Sequence, residues 1–284
     1  MRVLVTGATG RVGTRLVPRL LRNGNVSMVR ALARDPARAE TLEKDGLEVV
    51  MGDLQDPTAR REALAGLDAV VHLAAALRGV DPAIMPLVNR DATVALAEDA
   101  IAAGAGRFIY VSTNLVYGEG GNRAFVEDDP LQPGTVYGIY PQTKADAERA
   151  LLELHDGMNL PVRILRLAFV YGEQDPHLGE ALWWAKDWAR HRRLHMVHHA
   201  DVAQAVLLML LTHGIDGNVY NVADDAAVTA AELFELNGLA LPPEPTTEVE
   251  HPWEGIVSTR KIKDDLGFRP IYPTAWSAWA AGAL

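Results

Sequence analysis

Short apolar runs alternate with amphipathic stretches through the first half of the chain. The runs cover residues 3–5, 29–33, 47–51, 69–73 and 108–112, and they are typical of buried strands. Strands separated by helix-length segments need crossover connections, and crossovers produce a mostly parallel sheet. The pattern therefore predicts an α/β fold with a doubly wound parallel sheet and helices on both faces.

Two of the intervening stretches show a helical period. Their apolar residues recur three and four positions apart, and the stretches end at the polar segments "RNGN" and "AGAGR", which are typical of helix ends. The repeating positions are Val12, Leu16, Val17, Leu20 and Leu21 in the first stretch, and Val88, Thr93, Leu96, Ala97 and Ile101 in the second. Both stretches are predicted to be helices that cover the sheet.

The stretch "VLVTGATGRVG" contains three glycines where the first predicted strand becomes a helix. Glycine lets the backbone turn tightly and approach a pyrophosphate, which the N–H groups of a helix N-terminus then bind. This position favours dinucleotide binding, in a Rossmann-type sheet, over a plain turn. The expected cofactor contacts are Gly7, Thr9, Gly10, Arg11, Val12 and Gly13.

The end of the second predicted strand bears on the choice of cofactor. Enzymes that select NAD usually offer a carboxylate there to the ribose 2′-hydroxyl, whereas this chain has Arg34, with Asp35 adjacent. A guanidinium pairs with a 2′-phosphate, so NADP is favoured over NAD. After the third strand, Asp53 and Leu54 of "GDL" are expected to contact the adenine, although a helix N-cap role for Asp53 is an equal alternative.

The order of apolar and polar residues becomes less regular after Gly172. We predict a dinucleotide-binding domain at residues 1–172, with its sheet completed by about 199–223, and a small C-terminal substrate-binding lobe at 173–198 and 224–284. Three tryptophans at helical spacing are expected to form the core of that lobe rather than a stacking platform. They are Trp183, Trp184 and Trp188.

Tyr140 and Lys144 in "YPQTK" lie four residues apart, and Pro141 suits the first turn of a helix. The two side chains should therefore share one helix face. A phenol with an unperturbed pKa of about 10 is a poor base at neutral pH, and a cation within about 4–6 Å lowers that pKa. The pair predicts a proton shuttle, and the adjacent hydroxyls of Ser112 and Thr113 strengthen this interpretation.

Composition narrows the range of partners. The 284 residues carry a formal net charge of -10, with scattered Lys and Arg, which is atypical of a nucleic-acid-binding protein. The absence of cysteine excludes disulfides and thiolate metal ligands and suits a reducing compartment. The chain opens on "MRVLVTGATG" without a secretory pattern, and it has no apolar run of membrane-spanning length. We expect a cytoplasmic protein with a small-molecule substrate and with no nucleic acid, membrane or metal partner.

These motifs together resemble the extended, epimerase/dehydratase-like branch of the short-chain dehydrogenase/reductase superfamily. The resemblance rests on the order and spacing of "TGATGRVG", "GDL", "HLAA", "VNRDAT", "FIYVSTNLVYG", "YPQTKADAE", "ILRLAFVYG", "HHADVAQAV", "YNVADD" and "LGFRP". It implies that Thr113 hydrogen-bonds the reacting oxygen, with Ser112 as second choice. Tyr140 would pass its proton, Lys144 would hold the nicotinamide ribose, and Asn89 would support a water relay. Further cofactor contacts are implied at Leu73, Ala74 and Ala75.

The chain departs from the family pattern directly after the two hydroxyls. Family 4,6-dehydratases carry an Asp-Glu pair there, which supplies the acid and base for elimination of water, whereas this chain has Asn114 and Leu115. Asn does not exchange a proton at neutral pH and Leu has no polar atom, so dehydration is not expected. Enolate epimerisation in the family commonly uses a cysteine, which is absent. The reaction left after these two is hydride transfer, with Tyr140 as the proton shuttle.

Our leading hypothesis is an NAD(P)-dependent oxidoreductase that acts on a secondary alcohol or ketone of a sugar-like or other small substrate. A nucleotide-sugar 4-epimerase stays open as the alternative. However, Gly172 and Asp201 lie closer together than the corresponding motifs of members that hold a nucleotide-sugar diphosphate. A non-enzymatic NADP-binding redox sensor is disfavoured by the intact Tyr140 and Lys144.

Two further features carry weaker expectations. The spacing of His191 and His195 would place both on one helix face, but the neighbouring arginines would repel a cation, so a solvated or substrate-facing segment is expected instead. Arg166 and Tyr171 end a predicted strand near the cofactor crevice, where cofactor contact and simple ion pairing both stay open.

Because the family often pairs two helices per subunit in a four-helix bundle, a homodimer through residues 94–101 and 145–152 is also expected.

Overall fold

The computed structural model describes residues 1–40, 42, 46–77, 79–134, 137–243, 249 and 251–284. The strands are β1 (Arg2–Thr6), β2 (Met28–Ala33), β3 (Leu47–Met51), β4 (Ala69–His72), β5 (Arg107–Thr113), β6 (Val162–Leu167), β7 (Phe169–Tyr171), β8 (Arg193–Leu194), β9 (Met196–His198), β10 (Val219–Val222) and β11 (Val228–Thr229). The helices are α1 (Arg11–Leu21), α2 (Pro36–Glu40), α3 (Pro57–Leu64), α4 (Ala92–Ala102), α5 (Tyr140–Met158), α6 (His177–Glu180), α7 (Leu182–Ala185), α8 (His199–Leu211), α9 (Ala230–Leu236), α10 (Arg260–Leu266) and α11 (Ala275–Ala280). A π-helical turn (Leu87–Asp91) precedes α4, and a 3₁₀ turn (Asn114–Tyr117) follows β5. In this described part of the chain, no helix has the length and apolar character needed to cross a bilayer.

In the described residues, seven strands form one parallel sheet in the order β10-β6-β5-β4-β1-β2-β3. The direction of winding reverses beside β1, because the chain first adds β2 and β3 on one side and then returns to add β4 on the other. In open α/β sheets the crevice at the carboxyl ends of the strands, at this point of reversal, is where ligands bind. The predicted Rossmann-type fold is confirmed.

Alternate residues of each strand face opposite layers of the core. In β1, Val3 and Val5 belong to the apolar cluster that includes α1 and α8, whereas Leu4 belongs to the cluster that includes α3, α4 and α5. Helices cover both faces of the sheet, so both sets of side chains are apolar. This explains why the strands form continuous apolar runs in the sequence.

A third apolar cluster, separate from the two sheet clusters, joins β7 to α6, α9 and α11. Trp184 packs against this cluster and meets Phe169 edge-on, with 6.0 Å between ring centroids. Trp183 is 77% exposed, because it lies on the outer side of the one-turn helix α7, so the predicted core role is wrong for this residue.

Tyr171 donates its hydroxyl to Asp224 at 2.9 Å, which is a structural contact. The division at residue 172 stays a prediction.

Three arginines spaced four residues apart connect one face of α1 to the residues after β7. Arg11 Nη2 lies 2.7 Å from Glu180 Oε1, and Arg15 Nη2 donates to the Glu173 carbonyl oxygen at 2.8 Å. Arg19 pairs with the Glu173 carboxylate. The helix that follows the glycine loop is thereby fixed to the segment that leads into the expected substrate lobe.

The histidine-rich segment changes from exposed at His191 to buried at His195, and helix α8 begins only at its last residue, His199. His191 lies in a turn and His195 lies between β8 and β9, so the predicted shared helix face is wrong. His195 Nε2 lies 2.9 Å from the Asp224 carbonyl oxygen, and burial lowers the pKa of His195 to about 4. His199 Nε2 lies 2.8 Å from the Asp175 carboxylate. The expectation of a solvated or substrate-facing segment is wrong for His195, His198 and His199, which are buried against protein partners, whereas His191 is exposed.

Candidate active site

The glycine loop runs from the end of β1 into α1. Gly7 has a φ of +71°, and a Cβ at this position would lie 2.7 Å from the backbone nitrogen of Ala74. A Cβ on Gly13 would collide with the carbonyl oxygen of Gly7. The first turn of α1 therefore packs on the loop, and the loop packs on the segment after β4, with no room for a side chain at either position.

Replacing Gly13 with alanine is expected to destabilise the fold by roughly 1–3 kcal/mol and to weaken dinucleotide binding, because the added methyl group forces α1 away from the loop. The matched control is Gly24→Ala, since a Cβ on Gly24 meets nothing within 4 Å. Urea unfolding measures the stability, and fluorescence titration with NADPH measures the affinity. Equal values for the two variants would contradict the packing described.

A dinucleotide fits the start of α1. The helix begins at Arg11, and Gly10 before it has no side chain to cap the helix, so the N–H groups of the first turn can bind an anion. Thr9 lies half-buried in the loop, and Val12 packs partly buried against the core. The Arg11 guanidinium is engaged by Glu180 at 2.7 Å, so Arg11 is left with its backbone N–H for the expected cofactor contact.

Residues 73–76 lie beside the glycine loop and are fixed at both ends. The N–H of Leu73 donates to the Thr6 carbonyl oxygen at 3.1 Å, and the N–H of Ala74 donates to Thr6 Oγ1 at 3.4 Å. At the other end, the N–H of Ala76 donates to Asn89 Oδ1 at 2.7 Å. The expected cofactor contacts in the glycine loop after β1 and in the segment after β4, including Ala75, are therefore neighbours in space.

Arg34 and Asp53, which follow β2 and β3, lie next to each other at the expected ribose and adenine end of the crevice. Their guanidinium and carboxylate are 3.6 Å apart, and both side chains are solvent-exposed, so the pair is weak. Asp53 also accepts from the N–H of Gln55 at 2.9 Å. The N-cap of α3 is Asp56, which removes the alternative role for Asp53. Leu54 packs against the core cluster that includes α3.

Helix α5 begins at Tyr140 and presents Lys144 one turn later. Lys144 Nζ donates to the Val111 carbonyl oxygen at 2.8 Å and lies 4.1 Å from the centroid of the Tyr110 ring. Val111 lies on β5, two residues before Thr113. This bond joins α5 to the carboxyl end of β5, and so brings the predicted proton shuttle to the strand end that carries the predicted hydroxyls.

The pKa values of Tyr140 and Lys144 do not agree with the expectation that Lys144 lowers the pKa of Tyr140. Burial raises the pKa of Tyr140 to about 12. Burial also lowers the pKa of Lys144 to about 7, and the Glu148 carboxylate opposes that shift. The expected lowering is therefore wrong for this structure, because both groups are desolvated and each favours its neutral form. Tyr140 is held as a phenol, which is the form that donates a proton.

Asn89 lies in the π-helical turn before α4 and is fully buried. Its Nδ2 donates to the Ala76 carbonyl oxygen at 2.9 Å and to Thr143 Oγ1 at 3.0 Å. Thr143 Oγ1 in turn donates to the Tyr140 carbonyl oxygen at 2.8 Å. Asn89 thus braces the first turn of α5, a contact that the sequence analysis missed, and its expected role in a water relay stays a prediction.

Ser112 and Thr113 end β5 and are both buried. Thr113 Oγ1 accepts from the N–H of Leu115 at 3.3 Å and so caps the 3₁₀ turn. Among the described residues, Ser112 Oγ has no hydrogen-bond partner. Asn114 Nδ2 donates to the Gly255 carbonyl oxygen at 2.6 Å. The position that differs from the dehydratase pattern therefore holds an amide that is engaged in a structural contact.

Comparison with known proteins agrees with this arrangement. Residues 3–223 match the sequence model of the NAD dependent epimerase/dehydratase family. The chain belongs to this family. It is 29% identical to a dTDP-glucose 4,6-dehydratase of Streptomyces griseus, over 96% of this chain and 90% of the relative. It is also 29% identical to a 4-hydroxy-2-methyl-3-oxo-4-farnesyl-3,4-dihydroquinoline-1-oxide ketoreductase of Stigmatella aurantiaca, over 83% of this chain and 72% of the relative.

Among solved structures, the fold is similar to that of DesIV, a dTDP-glucose 4,6-dehydratase of Streptomyces venezuelae with NAD and TYD bound. The TM-score is 0.81 at 25% identity, over 99% of this chain and 97% of that chain. The resemblance to the extended branch of the short-chain dehydrogenase/reductase superfamily is confirmed. The chain is an enzyme of this superfamily, in which NAD is the cofactor bound in similar structures.

This epimerase/dehydratase family enzyme also contains a buried ionic group that the sequence analysis missed, behind Lys144. Glu148, one turn further along α5, accepts from Arg166 Nη2 at 2.7 Å and from Arg166 Nε at 3.0 Å. Arg166 Nη1 donates to the Tyr117 hydroxyl at 2.6 Å, and that hydroxyl donates to Asn221 Oδ1 at 2.8 Å. Of the two roles left open for Arg166, cofactor contact and ion pairing, the structure shows ion pairing. The signal for this group in the sequence was that Glu148 follows Lys144 by four residues, or about one helical turn, in "KADAE".

His72, at the end of β4, is a second group that the sequence analysis did not single out. Its Nδ1 lies 2.6 Å from Thr6 Oγ1, and its Nε2 lies 2.8 Å from Thr93 Oγ1. Burial, together with the charge of Lys144, lowers the pKa of His72 to about 3. The imidazole is therefore neutral and connects β1 to α4 behind the family's active-site edge.

Proposed function

We propose that the protein is an NADP-preferring oxidoreductase that transfers hydride at a secondary alcohol or ketone of a sugar-like or other small substrate. The observation that carries this proposal is the Asn114 amide, which is bound to the Gly255 carbonyl oxygen at 2.6 Å. With an amide there and Leu115 beside it, these two positions have no group to exchange a proton in an elimination. Hydride transfer needs one proton, which Tyr140 can supply.

Each residue of the site has a separate task in this proposal. NADP supplies the hydride chemistry. Thr113 orients the reacting oxygen, and Tyr140, whose pKa is raised by burial to about 12, donates its proton to that oxygen as the carbonyl is reduced. Lys144 is fixed by the Val111 carbonyl and holds the nicotinamide ribose. Asn89 keeps the first turn of α5 in place, so the phenol is pre-oriented. A phenol that stays protonated suits the direction of ketone reduction.

The test is to follow the cofactor through purification and then in turnover. An oxidoreductase exchanges its cofactor and consumes added NADPH in the presence of ketones. A nucleotide-sugar 4-epimerase retains its nucleotide and shows no net consumption, because its hydride returns to the same substrate. A redox sensor binds NADPH without turnover, and its binding is the same after Tyr140→Phe. Either of the last two outcomes would refute the proposal.

Arg34 is the proposed source of the NADP preference. We expect Arg34→Ala to raise the Kd for NADPH by roughly 10- to 100-fold and to leave the Kd for NADH unchanged, because a charge-assisted contact with the 2′-phosphate is lost. Arg38→Ala is the matched control, since Arg38 is an exposed arginine of α2 beside Asp35. Equal changes for the two cofactors, or tighter binding of NADH by the wild-type protein, would contradict the assignment.

A homodimer is the proposed assembly, through the outer faces of α4 and α5, and the cytoplasm is the proposed location. Light scattering of the purified protein should then give twice the chain mass of 30.8 kDa. A mass of 30.8 kDa at working concentrations would refute the dimer and leave the proposed chemistry intact.

A further inference from the structure

A short segment at residues 252–255 borders the active-site edge. The Gly255 carbonyl oxygen accepts from Asn114, which directly follows Thr113. Glu254 Oε1 accepts from the Tyr137 hydroxyl at 3.0 Å, and Tyr137 lies three residues before Tyr140. The 252–255 segment thus contacts the residue that follows Thr113 and a residue three positions before Tyr140, so it borders both elements that carry the proposed reacting hydroxyls.

The Glu254 carboxylate also engages a cation at this border. Arg192 Nη2 lies 2.7 Å from Glu254 Oε2, and the Arg192 guanidinium lies 4.2 Å from the centroid of the Trp188 ring. The Glu254 side chain is only 12% exposed and that of Arg192 is 26% exposed. Since water screens a half-buried pair less than a surface pair, this one holds its geometry better than an exposed ion pair.

Arg193, the next cation of the described border, is engaged as well. Arg193 Nη2 donates to the Pro252 carbonyl oxygen at 2.9 Å, and its guanidinium lies 4.7 Å from the centroid of the Trp253 ring. His251 lies 3.5 Å from the Glu119 carboxylate. Arg192 and Arg193 are therefore both bound to protein acceptors, and Glu254 adds a negative charge.

From this geometry we infer that Glu254 is a specificity-determining residue: it neutralises Arg192 and excludes phosphorylated substrates, so the enzyme acts on an uncharged hydroxy or keto compound. The inference rests on the proposed hydride-transfer function and names the substrate class of that site. A phosphate approaching Arg192 must displace the Glu254 carboxylate or lie beside it, and like charges in a half-buried place repel. A neutral polyol or ketone meets no such barrier, and the tryptophan rings nearby offer it an apolar surface.

The test uses UDP as the probe for nucleotide diphosphates, with the NADP-saturated enzyme in a calorimeter. The wild-type protein is expected to bind UDP with a Kd of about 1 mM or weaker. Glu254→Gln keeps an acceptor for Tyr137 but removes the charge, so Arg192 becomes available and UDP affinity is expected to rise at least about tenfold. The double variant Glu254→Gln with Arg192→Met should lose that gain, and Glu119→Gln, which changes only the His251 contact, should not produce it.

Two outcomes would overturn the inference: micromolar binding of UDP by the wild-type protein, or no gain in Glu254→Gln that still binds NADPH with wild-type affinity. Glu254→Asp, which keeps the charge, should bind UDP as weakly as the wild-type protein, and a gain there would also count against the inference. A parallel assay with uncharged ketones separates this inference from the proposed function. Ketone reduction together with tight UDP binding refutes only the inference, whereas the absence of NADPH consumption with any ketone refutes the proposed function.

Discussion

Tyr140→Phe is expected to lower the turnover number by about 10²–10⁴-fold, because the substitution removes the one proton donor that the proposed reaction uses. The Kd for NADPH should be unchanged, since Lys144 still donates to the Val111 carbonyl and the glycine loop is not altered. Steady-state kinetics with NADPH and a ketone substrate measures the first quantity, and fluorescence titration measures the second.

The matched control for that variant is Tyr220→Phe. Tyr220 lies on β10, the edge strand of the sheet, where its hydroxyl donates to Asp265 at 3.3 Å. Its removal should leave the turnover number unchanged. A Tyr140→Phe variant with more than about one tenth of wild-type turnover would show that another group donates the proton, since loss of a general acid costs at least 10²-fold.

Glu148→Gln is expected to lower the free energy of unfolding by about 3–5 kcal/mol, because it leaves the Arg166 guanidinium buried without a full counter-charge. Glu148 is fully buried and Arg166 is 3% exposed, so water cannot replace the lost partner. Urea denaturation monitored by tryptophan fluorescence measures the change. Arg149→Gln, which breaks the exposed pair with Asp146 on the same helix, should cost less than about 1 kcal/mol.

The double variant Glu148→Gln with Arg166→Met tests the reason for that loss. If the cost comes from the unpaired guanidinium, removal of both charges should recover part of the stability, because apolar replacements of buried ion pairs are often neutral. A double variant less stable than Glu148→Gln alone would instead show that Arg166 stabilises the fold mainly through its contacts with the Tyr117 hydroxyl and the Glu127 carbonyl oxygen.

The positions of the main elements were predictable because their signals are local. Strand β5 was expected at residues 108–112 and is found at Arg107–Thr113, and the first helix was expected from Val12 to Leu21 and is found at Arg11–Leu21. Burial on both faces produces a continuous apolar run, and burial on one face of a helix produces a period near 3.6. The histidine-rich segment shows the limit of this reasoning, because it is composed of two short strands whose pairing with β7 and β11 depends on distant residues.

The candidate site was predictable in part for the same reason. The glycine loop and the Tyr140–Lys144 pair each depend on a few consecutive residues, and the strand order of the sheet then brings their elements together. The expected effect of Lys144 on the pKa of Tyr140 was wrong, because spacing along a helix does not reveal burial. Desolvation raises the pKa of Tyr140 and lowers that of Lys144, so the phenol is held in its protonated form.

By itself, the sequence determined the parallel sheet and the family, and it indicated the glycine loop and the proposed proton-shuttle residues, since periodicity and short motifs depend on neighbouring positions. Only the tertiary structure decided how distant polar groups pair. Arg166 meets Glu148 across 18 residues, and Arg192 meets Glu254 across 62. Such pairs form where packed helices and strands exclude water, so that a buried charge needs an opposite charge from the protein. Which residues meet there depends on the whole fold and is not encoded in a local sequence pattern. The proposed choice of an uncharged substrate depends on one of those pairs.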